Sequence, residues 1–265
     1  MEFTTGGVRL HYRDEGEGLP VLCLAGLTRE GRDFDTLTGL GLRLIRLDSR
    51  GRGLSDWTPP YTVPQEAADA VALLDHLGIG RAHVIGASRG GLLGMVMAAQ
   101  GRVASLCLVD IGPVIERQGL ARIGDYLGRT PTSLEAAAEA LSRGPGFSDV
   151  PMARWRTEAE RLFLRPDGSL GLNYDPALRE AFLAAFDAPL PDLWPLYDLL
   201  PANLAVIRGA GSDLLSAETL LEMQRRRPDL IAAEVPGRGH MPFLDEPEAV
   251  EALRLWLQAA KTPVA

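Results

Sequence analysis

The stretch that most restricts how this chain can fold is Ala82-His83-Val84-Ile85-Gly86-Ala87-Ser88-Arg89-Gly90-Gly91. It opens as a short apolar run of the kind a buried strand shows, breaks at glycine, and passes at once into a helix-compatible segment, Leu92 to Ala99. Gly86-Ala87-Ser88-Arg89-Gly90 is therefore a G-x-S-x-G between a strand and a helix. In that setting the serine sits on a tight, strained turn with its hydroxyl above the carboxyl edge of a sheet. Side chains at the flanking glycine positions would collide with the neighbouring strand and helix. A helix that starts at such a serine aims its free N–H groups and positive dipole end at any oxyanion formed there. The motif alone says little in a chain with 29 glycines. The strand before it and the helix after it make Ser88 a candidate nucleophile rather than an ordinary turn serine.

The rest of the chain repeats the alternation. An amino-terminal strand–turn–strand leads to Val21-Leu22-Cys23-Leu24, a continuous apolar run suited to a strand buried on both faces. The loop Ala25–Arg29 follows, then a strand at Leu42–Leu47 and the loop Asp48-Ser49-Arg50-Gly51-Arg52-Gly53-Leu54-Ser55. Pro64 to Leu77 reads as a helix, with Pro64 in the first turn, Ala67, Val71, Leu74 and Leu77 on one face, and Gly78 to close it. Ser105–Val109 is a further core strand ending in Asp110. From about Gly112 to Leu190 strand signals stop, and amphipathic helical pieces stand around Gly119–Leu127, Ser133–Ser142, Met152–Leu164 and Ala177–Phe186. Strands return at Leu204–Arg208 and Leu230–Val235, separated by a helix at Ala217–Arg227, and a last helix spans Glu248–Ala260. The pattern predicts an α/β fold with a mostly parallel sheet covered by helices on both faces and an all-helical insertion. The expected division is 1–111 and 191–265 for the two parts of the core and 112–190 for a helical cap. Disorder is expected only in the final few residues.

At 265 residues and 46% hydrophobic content the chain can bury a sizeable core. A formal charge of −8 argues against a general nucleic-acid or anionic-membrane binder. No stretch is apolar for the length of a bilayer span. The first dozen residues lack the basic and apolar regions of a signal peptide, and Cys23 and Cys107 fall in core strands as buried reduced thiols. The expected compartment is the cytoplasm.

A serine needs a base, and the base an orienting acid. Of the four histidines, His11 lies in the hairpin, His76 on the polar side of its helix, and His83 at the far end of the elbow strand. His240 follows Val235-Pro236-Gly237-Arg238-Gly239, directly after the last core strand, and is the base by elimination and position. The acid should lie on a loop after a strand and precede the histidine. Asp213, in Arg208-Gly209-Ala210-Gly211-Ser212-Asp213, meets both conditions and is preferred. Asp110, also at a strand end, is its rival, while Asp245 suits the start of the final helix. The Asp48–Ser55 loop fits no P-loop spacing and reads as a tight turn held by Arg50 and Asp48. No Cys or His cluster has metal-ligand spacing, so neither metal nor organic cofactor is expected.

These pieces, with Gly239-His240-Met241-Pro242-Phe243-Leu244, resemble the α/β-hydrolase superfamily, in its branch of small capped esterases, lactonases and C–C bond hydrolases. The resemblance implies an eight-stranded sheet and the order Ser88…Asp213…His240. It also implies an oxyanion hole from the backbone N–H groups of Leu27 and Arg89. One departure is Ala25-Gly26 where the family often has His-Gly. The implied activity is hydrolysis of a small carboxylic ester or lactone through an acyl-enzyme. The alternatives are C–C bond hydrolysis of a β-diketone or dienoic acid and, from another class, a non-catalytic small-molecule receptor. The implied partner is a small-molecule substrate, with oligomeric state left open. Arg89 is the unusual residue of the elbow. An ionised guanidinium near the pocket floor needs a carboxylate, and the expected partner is Asp110, with a substrate carboxylate as the alternative.

Overall fold

The computed structural model describes residues 1–165 and 167–261. The disorder expected at the extreme end of the chain falls on positions outside the described residues. Five apolar runs form the parallel centre of the sheet: β3 (Pro20–Leu24), β4 (Arg43–Leu47), β5 (Ala82–Ala87), β6 (Val103–Val109) and β7 (Leu204–Gly209). With helices on both faces little of these strands meets water, so they are mostly apolar, and the charged Arg43, Arg46 and Arg208 are each paired with a carboxylate. β1 (Glu2–Thr5) and β2 (Val8–Glu15) make the antiparallel edge, and β8 (Ile231–Val235) makes the other. The order is β1-β2-β4-β3-β5-β6-β7-β8, eight strands with only the β1–β2 and β2–β4 pairs antiparallel.

One face of the sheet is covered by α1 (Val63–His76), α2 (Arg89–Ala99) and α8 (Ala217–Arg226). The other is covered by α9 (Pro247–Lys261), whose Trp256 is fully buried, and by a 3₁₀ turn at Gly31–Leu37 that inserts Phe34. α1 starts where the sequence directs it. The Thr62 hydroxyl accepts from Gln65 N–H at 3.3 Å, and Pro64 sits in the first turn, where a missing N–H costs nothing.

Between β6 and β7 the chain leaves the sheet and forms α3 (Arg117–Tyr126), α4 (Leu134–Ser142), α5 (Met152–Phe163) and α6 (Leu178–Asp187), then a short α7 (Trp194–Asp198). The first four match the expected helical pieces to within a few residues. α7 and the 3₁₀ turn were not anticipated, because five and seven residues are too few to show a helical period. Segment 173–175 is laced to the Asp48–Ser55 loop, through Gly53 N–H to Asn173 O and Asp175 N–H to Gly51 O, each 2.8 Å. Among the described residues no helix is long and apolar enough to cross a membrane.

Candidate active site

Ser88 joins β5 to α2 with φ 51° and ψ −118°, a conformation that side-chain-bearing residues rarely adopt. Its N–H is spent on Val109 O at 2.8 Å, so the elbow is pinned to β6. The flanking glycines are sterically required. A Cβ on Gly90 would lie 1.9 Å from Leu24 O, and one on Gly86 would lie 2.6 Å from Gly91 Cα. Only there can the start of α2 press against the end of β3, from which the Ala25–Arg29 loop departs.

His240, on the loop after β8, reaches Ser88 Oγ with Nε2 at 2.9 Å. Its Nδ1 lies 2.7 Å from Asp110 Oδ2. A carboxylate only accepts, so Nδ1 carries the hydrogen and Nε2 turns its lone pair to the serine O–H. Asp110 is fully buried and also receives Gly209 N–H at 2.8 Å and the Ser212 hydroxyl at 2.7 Å. Ser212 is a site residue that the sequence reading passed over, although it stands next to the residue that reading chose.

Asp213 does not meet His240. Its carboxylate accepts from Arg122 Nη1 of α3 at 2.6 Å, and the place beside the histidine belongs to Asp110. The sheet order explains this: β6 lies between β5 and β7, so the residue ending β6 is one strand nearer the serine than the loop after β7. Asp245 takes Arg154 Nη1 at 2.6 Å rather than serving α9. The expected Arg89–Asp110 pair is not formed either. Arg89 donates Nη2 and Nε to Glu66 of α1, at 2.8 and 3.1 Å, and Nη2 to Tyr61 O at 3.0 Å. Burial alone would raise the Glu66 carboxyl, but Arg52 and Arg89 outweigh it and hold it below the ordinary range.

The other histidines are occupied elsewhere: His11 Nδ1 by Asp48 at 3.0 Å, His83 Nδ1 by the Ser105 hydroxyl at 2.7 Å, and His76 by stacking on Phe3. The Asp48–Ser55 loop is the tight turn expected. Asp48 accepts Gly31 and Leu54 N–H at 2.9 and 3.1 Å, and Arg50 grips Asp69 with two bonds of 2.5 and 2.7 Å. It has a further consequence that the sequence did not reveal. Buried Arg52 donates Nε to Leu27 O at 2.7 Å, fixing the peptide plane of the loop beside Ser88. Leu27 N–H makes no hydrogen bond among the described residues. Arg89 N–H opens α2, ahead of the first i to i−4 bond.

Ser88 and His240 open into a cavity of about 300 Å³ whose walls include Gly26, Leu27, α3, α5 and the Met241–Phe243 segment. Of the aromatic residues scattered between 155 and 194, only Trp155 lines it, packed edge-on against Phe147 and Phe243. The walls also carry Arg29, Arg122, Arg154 and Arg161. Three of these converge on buried Glu158, which accepts from Arg29 Nη2, from Arg161 Nη1 at 3.0 Å and from Arg154 Nε at 3.3 Å. Burial would raise the Glu158 carboxyl, and these cations, Arg29 foremost, bring it below its ordinary value. Among the described residues no group of three His, Cys, Asp or Glu converges as a metal set.

The doubly covered sheet, the strained serine elbow and the serine–histidine–aspartate chain define a hydrolase. The chain belongs to the Alpha/beta hydrolase family, whose model matches residues 21–253. It is 36% identical to a 3-hydroxybutyrate-oligomer hydrolase of Cupriavidus necator, over 91% of this chain and 90% of that protein. It is 30% identical to a 2-(acetamidomethylene)succinate hydrolase of Mesorhizobium japonicum, over 89% and 86%. An α/β hydrolase of Novosphingobium aromaticivorans superposes with a TM-score of 0.89 at 40% identity, covering 97% of each chain. The protein is an enzyme, a hydrolase, and the reading as a non-catalytic receptor falls away.

Proposed function

We propose that this hydrolase cleaves small carboxylic esters or lactones through an acyl-enzyme on Ser88. The observation that carries the reading is the unbroken hydrogen-bond chain from Ser88 Oγ through His240 to buried Asp110. Ser88 attacks the carbonyl carbon while His240 Nε2 takes its proton. Asp110 holds the imidazole in the Nδ1–H tautomer and stabilises its cationic form. The Leu27 and Arg89 N–H groups receive the oxyanion. The protonated His240 then gives its proton to the leaving alcohol, and a water deprotonated by His240 releases the acid. Residues 112–190 serve as a cap, since α3, α4 and α5 supply much of the wall facing Ser88. An oligomer of a hydroxy acid is joined by ester bonds, so the Cupriavidus relative's name fits this chemistry. Two free, buried cysteines suit a cytoplasmic protein.

Ser88→Ala and His240→Ala are each expected to lower kcat by roughly 10⁴ or more while the protein stays folded. The assay is a panel of esters, lactones and β-diketones run on wild type and both variants. Near-wild-type ester hydrolysis by folded His240→Ala, or turnover confined to the β-diketones, would overturn the reading.

A further inference from the structure

We infer that Arg122 is the anion-binding end of the cavity, and that the preferred substrates are esters carrying a free carboxylate. This rests on the ester reading above and names the substrate class within it.

The cavity face of α3 is built from Gly119, Arg122, Ile123 and Tyr126, spaced as one side of a helix. Gly119 brings that face against the loop after β7, since a Cβ there would lie 2.5 Å from Asp213 O. This close approach sets Arg122 Nη1 2.6 Å from the Asp213 carboxylate.

The four arginines of the cavity wall are not equivalent. Arg29 donates to Asp33 and Glu158, and Arg154 donates to Glu158 and Asp245. Arg161 donates to Glu158, with Asp35 within 3.9 Å. Each of the three is divided between two carboxylates. Among the described residues Arg122 makes one side-chain hydrogen bond, through Nη1, and its side chain is 40% exposed.

The edge it leaves over is the one suited to a second carboxylate. Nε–H and Nη2–H point the same way and match the two oxygens of a carboxylate. Elsewhere in this chain that edge grips an acid in Arg43–Asp14, Arg50–Asp69, Arg89–Glu66 and Arg225–Glu222. In Arg122 neither Nε nor Nη2 has a hydrogen-bond partner among the described residues. A permanently charged fork with its bidentate edge unfilled thus stands on the wall of the cavity that holds Ser88 and His240.

Asp213, held on Nη1, then offsets part of the positive charge that a substrate carboxylate on the other edge would meet. The two members of the pair must affect an anionic substrate in opposite directions, whereas a merely structural ion pair is lost alike from either side. The experiment compares 3-acetoxybutyrate with its uncharged isostere 3-acetoxybutyramide, reading the ratio of kcat/KM for acid over amide. In Arg122→Gln the ratio is expected to fall by roughly ten- to a hundredfold. Arg122→Lys recovers part of the loss, and Asp213→Asn raises the ratio above wild type. A ratio unchanged across the variants, with both substrates slowed together, would overturn the inference and leave a structural pair. Should wild type hydrolyse neither probe nor any ester or lactone of the panel above, the ester reading fails. The dissociation constants of both probes on Ser88→Ala, with and without Arg122→Gln, then decide the anion site by the same ratio.

Discussion

Removing the Arg89 guanidinium would leave the Glu66 carboxylate, whose side chain is 1% exposed, facing Arg52 alone. Arg89→Met is therefore expected to cost roughly 3 kcal/mol, the low end for breaking a buried pair, because one cation remains. Denaturant midpoints measure it, and kcat/KM should fall alike for neutral and carboxylate-bearing esters. An unchanged midpoint together with a KM rise confined to charged esters would instead make Arg89 the anion site. The need for a partner was legible in the sequence, since a guanidinium beside the nucleophile must be neutralised. The identity of the partner was not, because Glu66 comes from the first turn of α1 and nothing local ties that turn to the elbow. Asp213 failed for the same kind of reason. Its position after a strand was read correctly, but that α3 would deliver Arg122 to it depends on contacts ninety-one residues apart.

At the scale of elements, the strands and long helices were legible because burial on both faces, or on one helical stripe, leaves a periodic trace. The 3₁₀ turn at Gly31–Leu37 leaves none, yet it brings Asp33 to Arg29 on the cavity wall and sets an acid in the interior at its start. Glu30, just before it, is buried with Asp48 and Asp33 as neighbours. Burial, then the Asp48 charge, pushes its carboxyl up to about 7 against the pull of Arg32. The folded state thus holds this proton where the unfolded chain has lost it, and stability falls as pH rises from the ordinary glutamate range through 7. Glu66 and Glu158, held below their ordinary values, act the other way. Their contribution is present above the unfolded range and lost as pH falls through their folded values. Glu30→Gln should accordingly raise Tm over wild type more at pH 8 than at pH 5. An equal offset at both pH values would contradict that account.

For the whole molecule, the sheet order decides which residues can meet. Ser88, Asp110 and His240 come from the carboxyl ends of β5, β6 and β8, and the last residue of β7, Gly209, and Ser212 on the loop after it are donors to Asp110. Alternation along the chain foretold the mostly parallel sheet, and the loss of strand signals after β6 foretold the helices α3 to α6. It could not say which of two strand-end aspartates faces the histidine, since both satisfy the same order in sequence. The most direct measurement is kcat for Asp110→Asn and Asp213→Asn on one uncharged chromogenic ester. An amide at position 110 would favour the wrong imidazole tautomer, so Asp110→Asn should lose roughly 10⁴ in kcat, and Asp213→Asn less than about tenfold. The reverse ranking would contradict the account and return the acid to the loop after β7.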